Sequence, residues 1–132
     1  MPGETDLEKL LQGMKPALNE GEFVFCIVDS LQRAATLNPV CIFQEHEAVT
    51  IIIPKHQADK AALPYSTTCA WITLTIHSSL EAVGLTAAVS KALSDANISC
   101  NMVAAYYHDH IFVPVRDAKR AMDVLLELTK QE

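Results

Sequence analysis

The residues best placed to do chemistry in this chain form one stretch, His77-Ser78-Ser79-Leu80-Glu81-Ala82-Val83-Gly84-Leu85, between an alternating apolar run and a helical one. A helix start presents unpaired backbone N–H groups and a positive dipole end to an anion, and a glycine lets that anion approach the backbone closely. Ser78 and Ser79 add hydroxyls, and Val83, Gly84 and Leu85 complete the turn into the helix. The chemistry on offer is non-covalent recognition of a small ligand with a carboxylate. The same letters admit a second reading. Ser78-Ser79-Leu80-Glu81 has the form of a capping box, in which the turn satisfies its own donors and nothing need bind there. Asn101, on a later strand, carries an amide that donates and accepts at once, which suits the ammonium and carboxylate of an amino acid; the alternative is a satisfied side chain at an edge or interface.

Tyr106-Tyr107-His108-Asp109-His110 is the next cluster. If a strand has begun there, His108 and His110 project to one side and Asp109 to the other, offering a metal two ligands where a catalytic zinc site needs three. The spacing fits a tight turn at His108-Asp109 with the tyrosines packed at an interface, and no metal is expected. Asp109 beside His108 also offers a pH-dependent pair. Nucleophilic chemistry is poorly served: Cys26 or Cys100 can be paired with His77 on paper, yet both thiols sit in apolar runs that disfavour a thiolate. No G-x-S-x-G, P-loop, H-E-x-x-H or dinucleotide fingerprint occurs. The expectation is a protein that binds and does not catalyse, with no cofactor. An enzyme acting through Cys100, His77 or the His108/His110 pair is the minority reading.

These residues need elements to position them. Ala70, Ile72, Leu74 and Ile76 alternate with Trp71, Thr73 and Thr75, the period of a half-buried antiparallel strand. Leu85, Val89, Ala92, Leu93 and Ala96 fall on one helical stripe that ends near Asn97. Ile98, Cys100 and Met102 then alternate with Ser99, Asn101 and Val103, a further strand carries Ile111 and Val113, and a helix from about Val115 buries Ala118, Ala121, Met122, Leu125 and Leu128. Upstream, Thr5-Asp6-Leu7-Glu8 opens a short helix with Leu7, Leu10, Leu11 and Met14 on one face, weakened by Gly13 and closed by Pro16. Phe23 to Val28 is apolar throughout and predicts a strand covered on both faces. A short helix around Leu31 to Ala35, strands over Val40 to Phe43 and Val49 to Ile53, and a helix from Pro54 to about Leu63 follow.

The element order repeats. Residues 1–63 and 69–132 form two halves, each a βαββα unit, and each lacks a last edge strand. That strand must come from the other half or a partner chain, or the edge stays open, so closely packed halves and a homodimer are expected.

A chain of 132 residues at 50% hydrophobic content fills one compact domain or two very small ones. Its formal charge of -6, with ten Lys and Arg scattered singly, leaves no basic stripe for nucleic acid or an anionic membrane. Four cysteines without a C-x-x-C pair read as buried free thiols of a reducing, cytoplasmic compartment. No signal peptide or membrane span is evident.

The run Gly84-Leu85, with Leu93 eight residues on and Asn97-Ile98-Ser99 opening the next strand, resembles the ACT domain, a small regulatory module of ferredoxin-like topology. The wider text, Gly21 to Cys26, His77 to Leu85 and Tyr106 to Pro114, is similar to a family of short stand-alone tandem ACT-like proteins. The resemblance implies an α/β (α+β) fold of two ferredoxin-like halves, antiparallel sheets with helices packed on one face. It also implies an amino-acid-type ligand at the glycine turn, with Ser78, Ser79, Val83, Gly84, Leu85 and Asn101 lining the pocket, and a sensor role exerted on a separate partner protein. A ligand-free assembly module is the alternative.

Overall fold

The computed structural model describes residues 7–75 and 84–130. In chain order the elements are α1 (Leu7–Gly13), β1 (Lys15–Leu18), β2 (Phe23–Val28), α2 (Leu31–Thr36), β3 (Cys41–Gln44), β4 (Val49–Pro54), α3 (Lys55–Lys60), β5 (Thr68–Thr75), α4 (Leu85–Asp95), β6 (Asn101–Ala104), β7 (Asp109–Pro114) and α5 (Ala118–Leu128), the last entered through a 3-10 turn at Val115–Asp117. They group into two compact units, residues 20–69 and residues 1–19 together with 70–132. Residues 7–19 thus go with the C-terminal portion of the chain and not with the segment that follows them.

In the smaller unit the strand order is β3-β4-β2, with the start of β5 beyond β2, and every pairing is antiparallel. The long apolar run of β2 registers on β4 with Val24 opposite Ile53 and Cys26 opposite Ile51. Alternation therefore sends Val24, Cys26 and Val28 to the same side as Val49, Ile51 and Ile53, where Ala34 of α2 and Ala58 of α3 close a core. Ser30 caps α2 by accepting from the Arg33 N–H at 3.1 Å. The fourth strand of this unit is two residues long: Thr68 and Cys69 pair with Val24 and Phe23. Burial on both faces of β2, predicted from its unbroken apolar run, fails at Ile27, which is 63% exposed. A continuous apolar sequence reports β propensity as well as burial, and Ile27 expresses the former.

The larger unit orders its strands β1-β5-β7-β6. Ala70, Ile72 and Leu74 of β5 and Ile111 and Val113 of β7 share one face, packed by Leu85, Val89 and Leu93 of α4, Ala121 and Leu125 of α5, and Leu10 and Leu11 of α1. The centres of both predicted helical stripes are thereby buried, while Ala92, Ala96, Ala118, Met122 and Leu128 are half-buried. The unpredicted element is β1. Lys15 pairs with Thr75, Pro16 with Leu74, Ala17 with Thr73 and Leu18 with Ile72, which makes β1 the edge strand missing from this half. Pro16, expected only to close the preceding helix, sits inside it. An edge position tolerates a residue with no N–H because one side of the strand faces no partner.

Each unit is therefore a four-stranded antiparallel sheet in ferredoxin-like order with helices on one face. The segment completing each lies outside its own βαββα run.

Candidate functional site

Gly84 is the N-cap of α4 and takes a left-handed conformation, φ +93°. Among the described residues no side chain caps this helix, and its first turn holds no acidic residue. The first helical bond, from the Ala88 N–H to the Gly84 carbonyl at 2.8 Å, leaves the earlier amides of the turn without intrahelical acceptors. The capping box read at Ser78-Ser79-Leu80-Glu81 falls outside the described residues, as does Val83. Leu85 turns into the core at 6% exposure, while Asn101 is exposed at the start of β6 opposite Phe112. Since Ile111 and Val113 flank Phe112 and face the helices, Asn101 lies on the sheet face away from α4.

That second face carries a polar cluster that the sequence reading did not assemble. Trp71 Nε1–H donates to His110 Nδ1 at 3.0 Å, the Thr73 hydroxyl stands 3.2 Å from the same nitrogen, and Asn19 Nδ2 donates to Thr73 Oγ1 at 2.9 Å. The indole is a donor only, so His110 Nδ1 is unprotonated and its Nε2 carries the hydrogen. Burial lowers the His110 pKa, reinforced by His108 and opposed by Asp109. Burial raises the Asp109 carboxyl, which the two histidines partly offset. Period-2 alternation puts Trp71 with Thr73 on one strand and His110 opposite to Ile111 on another; the strand pairing that makes them neighbours is a long-range choice.

The hairpin turn falls before the predicted His108-Asp109. The Ala105 N–H donates to the His108 carbonyl at 3.0 Å, and Asp109 already begins β7. Tyr106 and Tyr107 pack edge-on against each other, ring centroids 5.0 Å apart, and are 93% and 79% exposed. Among the described residues no group of three or more His, Cys, Asp or Glu is placed to hold a metal ion. The cysteines are free, and burial raises the Cys26, Cys69 and Cys100 thiols, the direction that disfavours a thiolate. No helix among the described residues is long and apolar enough to cross a membrane.

Two family models bear on the chain, both described as the ACT domain, one matching residues 2–70 and the other 66–127. The chain belongs to the ACT domain family. It is similar over 94% of its length, at 44% identity and a TM-score of 0.87, to 96% of a protein of unknown function from Vibrio cholerae described as a possible transport protein. The regulatory subunit of aspartate kinase from Thermus thermophilus shares the fold, with a TM-score of 0.64 at 11% identity over 86% of this chain and 97% of that one. So does aspartate kinase from Clostridium acetobutylicum, at a TM-score of 0.69 and 10% identity over 89% of this chain and 34% of the enzyme. Nothing matches among curated proteins. ACT domains are regulatory ligand-binding modules, and this chain carries two matches to them in tandem.

Proposed function

We propose that this tandem ACT protein binds a small amino-acid-type ligand at the start of α4 and acts as a sensor on a separate partner protein, without catalysis of its own. One observation carries the reading: Gly84 caps α4 in a left-handed conformation with no side-chain acceptor among the described residues for the first-turn amides. Those amides and the dipole end suit a carboxylate, and the absence of a Cβ at Gly84 permits close approach. Ser78, Ser79 and Val83 precede this cap in the chain and Leu85 follows it, so they belong to the same proposed pocket. Asn101, on the other sheet face, would serve a ligand held by a second copy in a homodimer. The free cysteines support a reducing, cytoplasmic setting.

A thermal-shift screen against the twenty amino acids tests the reading. A ligand at about 100 times its Kd stabilises by about 2.7 kcal/mol. A shift confined to one or a few amino acids and lost in folded Gly84→Asp supports it. No shift with any amino acid overturns it.

A second reading, a ligand-free assembly module, draws on the smaller unit. Ile27 at 63% and Phe43 at 66% exposure flank Thr50 in register on the sheet face away from the helices. Apolar side chains so placed suit a protein surface.

A further inference from the structure

We propose that the groove between the end of α4 and the beginning of α5 is a separate recognition site for a zwitterion of α-amino-acid size. The cavity, about 400 Å³, is lined by Ser94, Asn97, Ile98 and Ser99 on one side and by Arg116 and Asp117 on the other. Asp117 is the only buried charged residue among those described, at 8% exposure. Its Oδ1 accepts from Arg120 Nη2 at 2.9 Å, and Arg120 Nη1 donates to the Ala96 carbonyl at 2.9 Å, so Arg120 is committed to holding the two walls together. Asp117 Oδ2 and Arg116 Nε form a long ion pair at 4.0 Å, beyond hydrogen-bond reach. The Arg116 side chain, 81% exposed, makes no hydrogen bond to a described residue.

The groove is therefore bipolar. Arg116 offers a planar fork for a carboxylate. Asp117 Oδ2, with the Ser94 and Ser99 hydroxyls at the negative end of the α4 dipole, offers acceptors for an ammonium. A lone anion leaves Oδ2 facing it, and a lone cation faces Arg116; a molecule carrying both charges on neighbouring carbons satisfies both walls.

The smaller unit has a cavity of about 280 Å³ too, lined by Glu22, Lys55, His56 and Asp59 at the start of α3, with no residue from the end of α2. There Lys55 is bound to Asp59 at 3.0 Å, and Asp59 also accepts from the Tyr65 hydroxyl at 2.6 Å. Ammonium and carboxylate satisfy each other, and no opposed pair is left for a ligand.

The proposed site shares no residue with the start of α4, so the two readings stand or fall separately. The test is a titration of ¹H–¹⁵N amide spectra with glycine, L-alanine, sodium acetate and methylammonium chloride, on the parent chain, Arg116→Gln and Gly84→Asp. The expected result is that the amino acids move signals of residues 94–99 and 115–118, about tenfold more tightly than acetate or methylammonium. Arg116→Gln then weakens them about tenfold or more, and Gly84→Asp leaves them unchanged. Gly84→Asn, compatible with the left-handed cap, replaces Gly84→Asp if that variant does not fold. Acetate binding as tightly as glycine, an unchanged affinity in Arg116→Gln, or no movement of the 94–99 and 115–118 signals overturns the proposal, whatever happens near Gly84.

Discussion

The Trp71 indole N–H donates to His110 Nδ1 at 3.0 Å across the larger unit's sheet, with ring centroids 5.7 Å apart, and this contact exists only while that nitrogen is bare. His110 has a folded pKa below the unfolded value of about 6.5. Its contribution to stability is therefore present above the unfolded value and is lost as pH falls through the folded one. Asp109, raised by burial, runs the other way: its contribution is present below the unfolded value and lost as pH rises through the folded one. Trp71 is the only tryptophan. Its fluorescence should change on acidification below about pH 6.5, and the change should vanish in His110→Gln, whose amide oxygen still accepts from the indole. An emission spectrum invariant down to about pH 4, or an identical transition in His110→Gln, would remove His110 as the titrating group.

Removing residues 1–19 strips β1 from the edge of β5 and Leu10, Leu11 and Met14 from the core. An uncovered apolar strand edge seeks another chain. The truncated protein should elute as larger species and unfold at a lower temperature or without a cooperative transition. A monomer with the parent's melting temperature would show that β1 is dispensable.

Gly84 holds φ +93°, and among the described residues a Cβ there would meet only Leu7 Cδ2, at an ordinary 3.5 Å. The cost of Gly84→Ala is thus backbone strain and not collision, about 1–2 kcal/mol in chemical denaturation. Gly84→Asn should cost less, because Asn visits the left-handed region more readily. Equal losses for the two would point to sterics.

Leu93 is fully buried at 0% exposure, while Phe43 is 66% exposed on an edge strand of the smaller unit. Leu93→Ala should cost about 2–5 kcal/mol through a cavity and lost transfer energy. Phe43→Thr should stay within about 0.5 kcal/mol for the isolated chain. If Phe43→Thr instead lowers stability in a concentration-dependent way, self-association covers that face.

The Asp117 carboxylate depends on Arg120, and the pair ties the start of α5 to the end of α4. Arg120→Ala should destabilise by about 1–3 kcal/mol, since it leaves a buried carboxylate oxygen without its donor. Asp117→Asn in the same background should recover part of the loss. No recovery would mean that Arg120 acts through the Ala96 carbonyl alone.

Periodicity carried the helical stripes and most strand faces, because side-chain alternation and the 3.6-residue turn are local properties written into spacing. Leu85, Val89 and Leu93 are buried as their spacing required, and so are Ile111 and Val113. The Gly84 turn was also legible, since only a few residue types occupy φ near +93° at low cost. Pro16 shows the limit. A four-residue strand has too few positions to display a period, and proline's local meaning is to stop a helix; that it sits at an edge is known only once β5 lies beside it.

By itself the sequence determined the order of most elements, most of their buried faces and the ACT-domain kinship. Tertiary structure alone decided that the N-terminal strand completes the C-terminal unit, that Trp71 lands on His110, and that Arg116 and Asp117 face the end of α4. Each of these is a pairing between residues distant in the chain. Such pairings are selected by the total burial of a folded unit, and no local spacing encodes that sum.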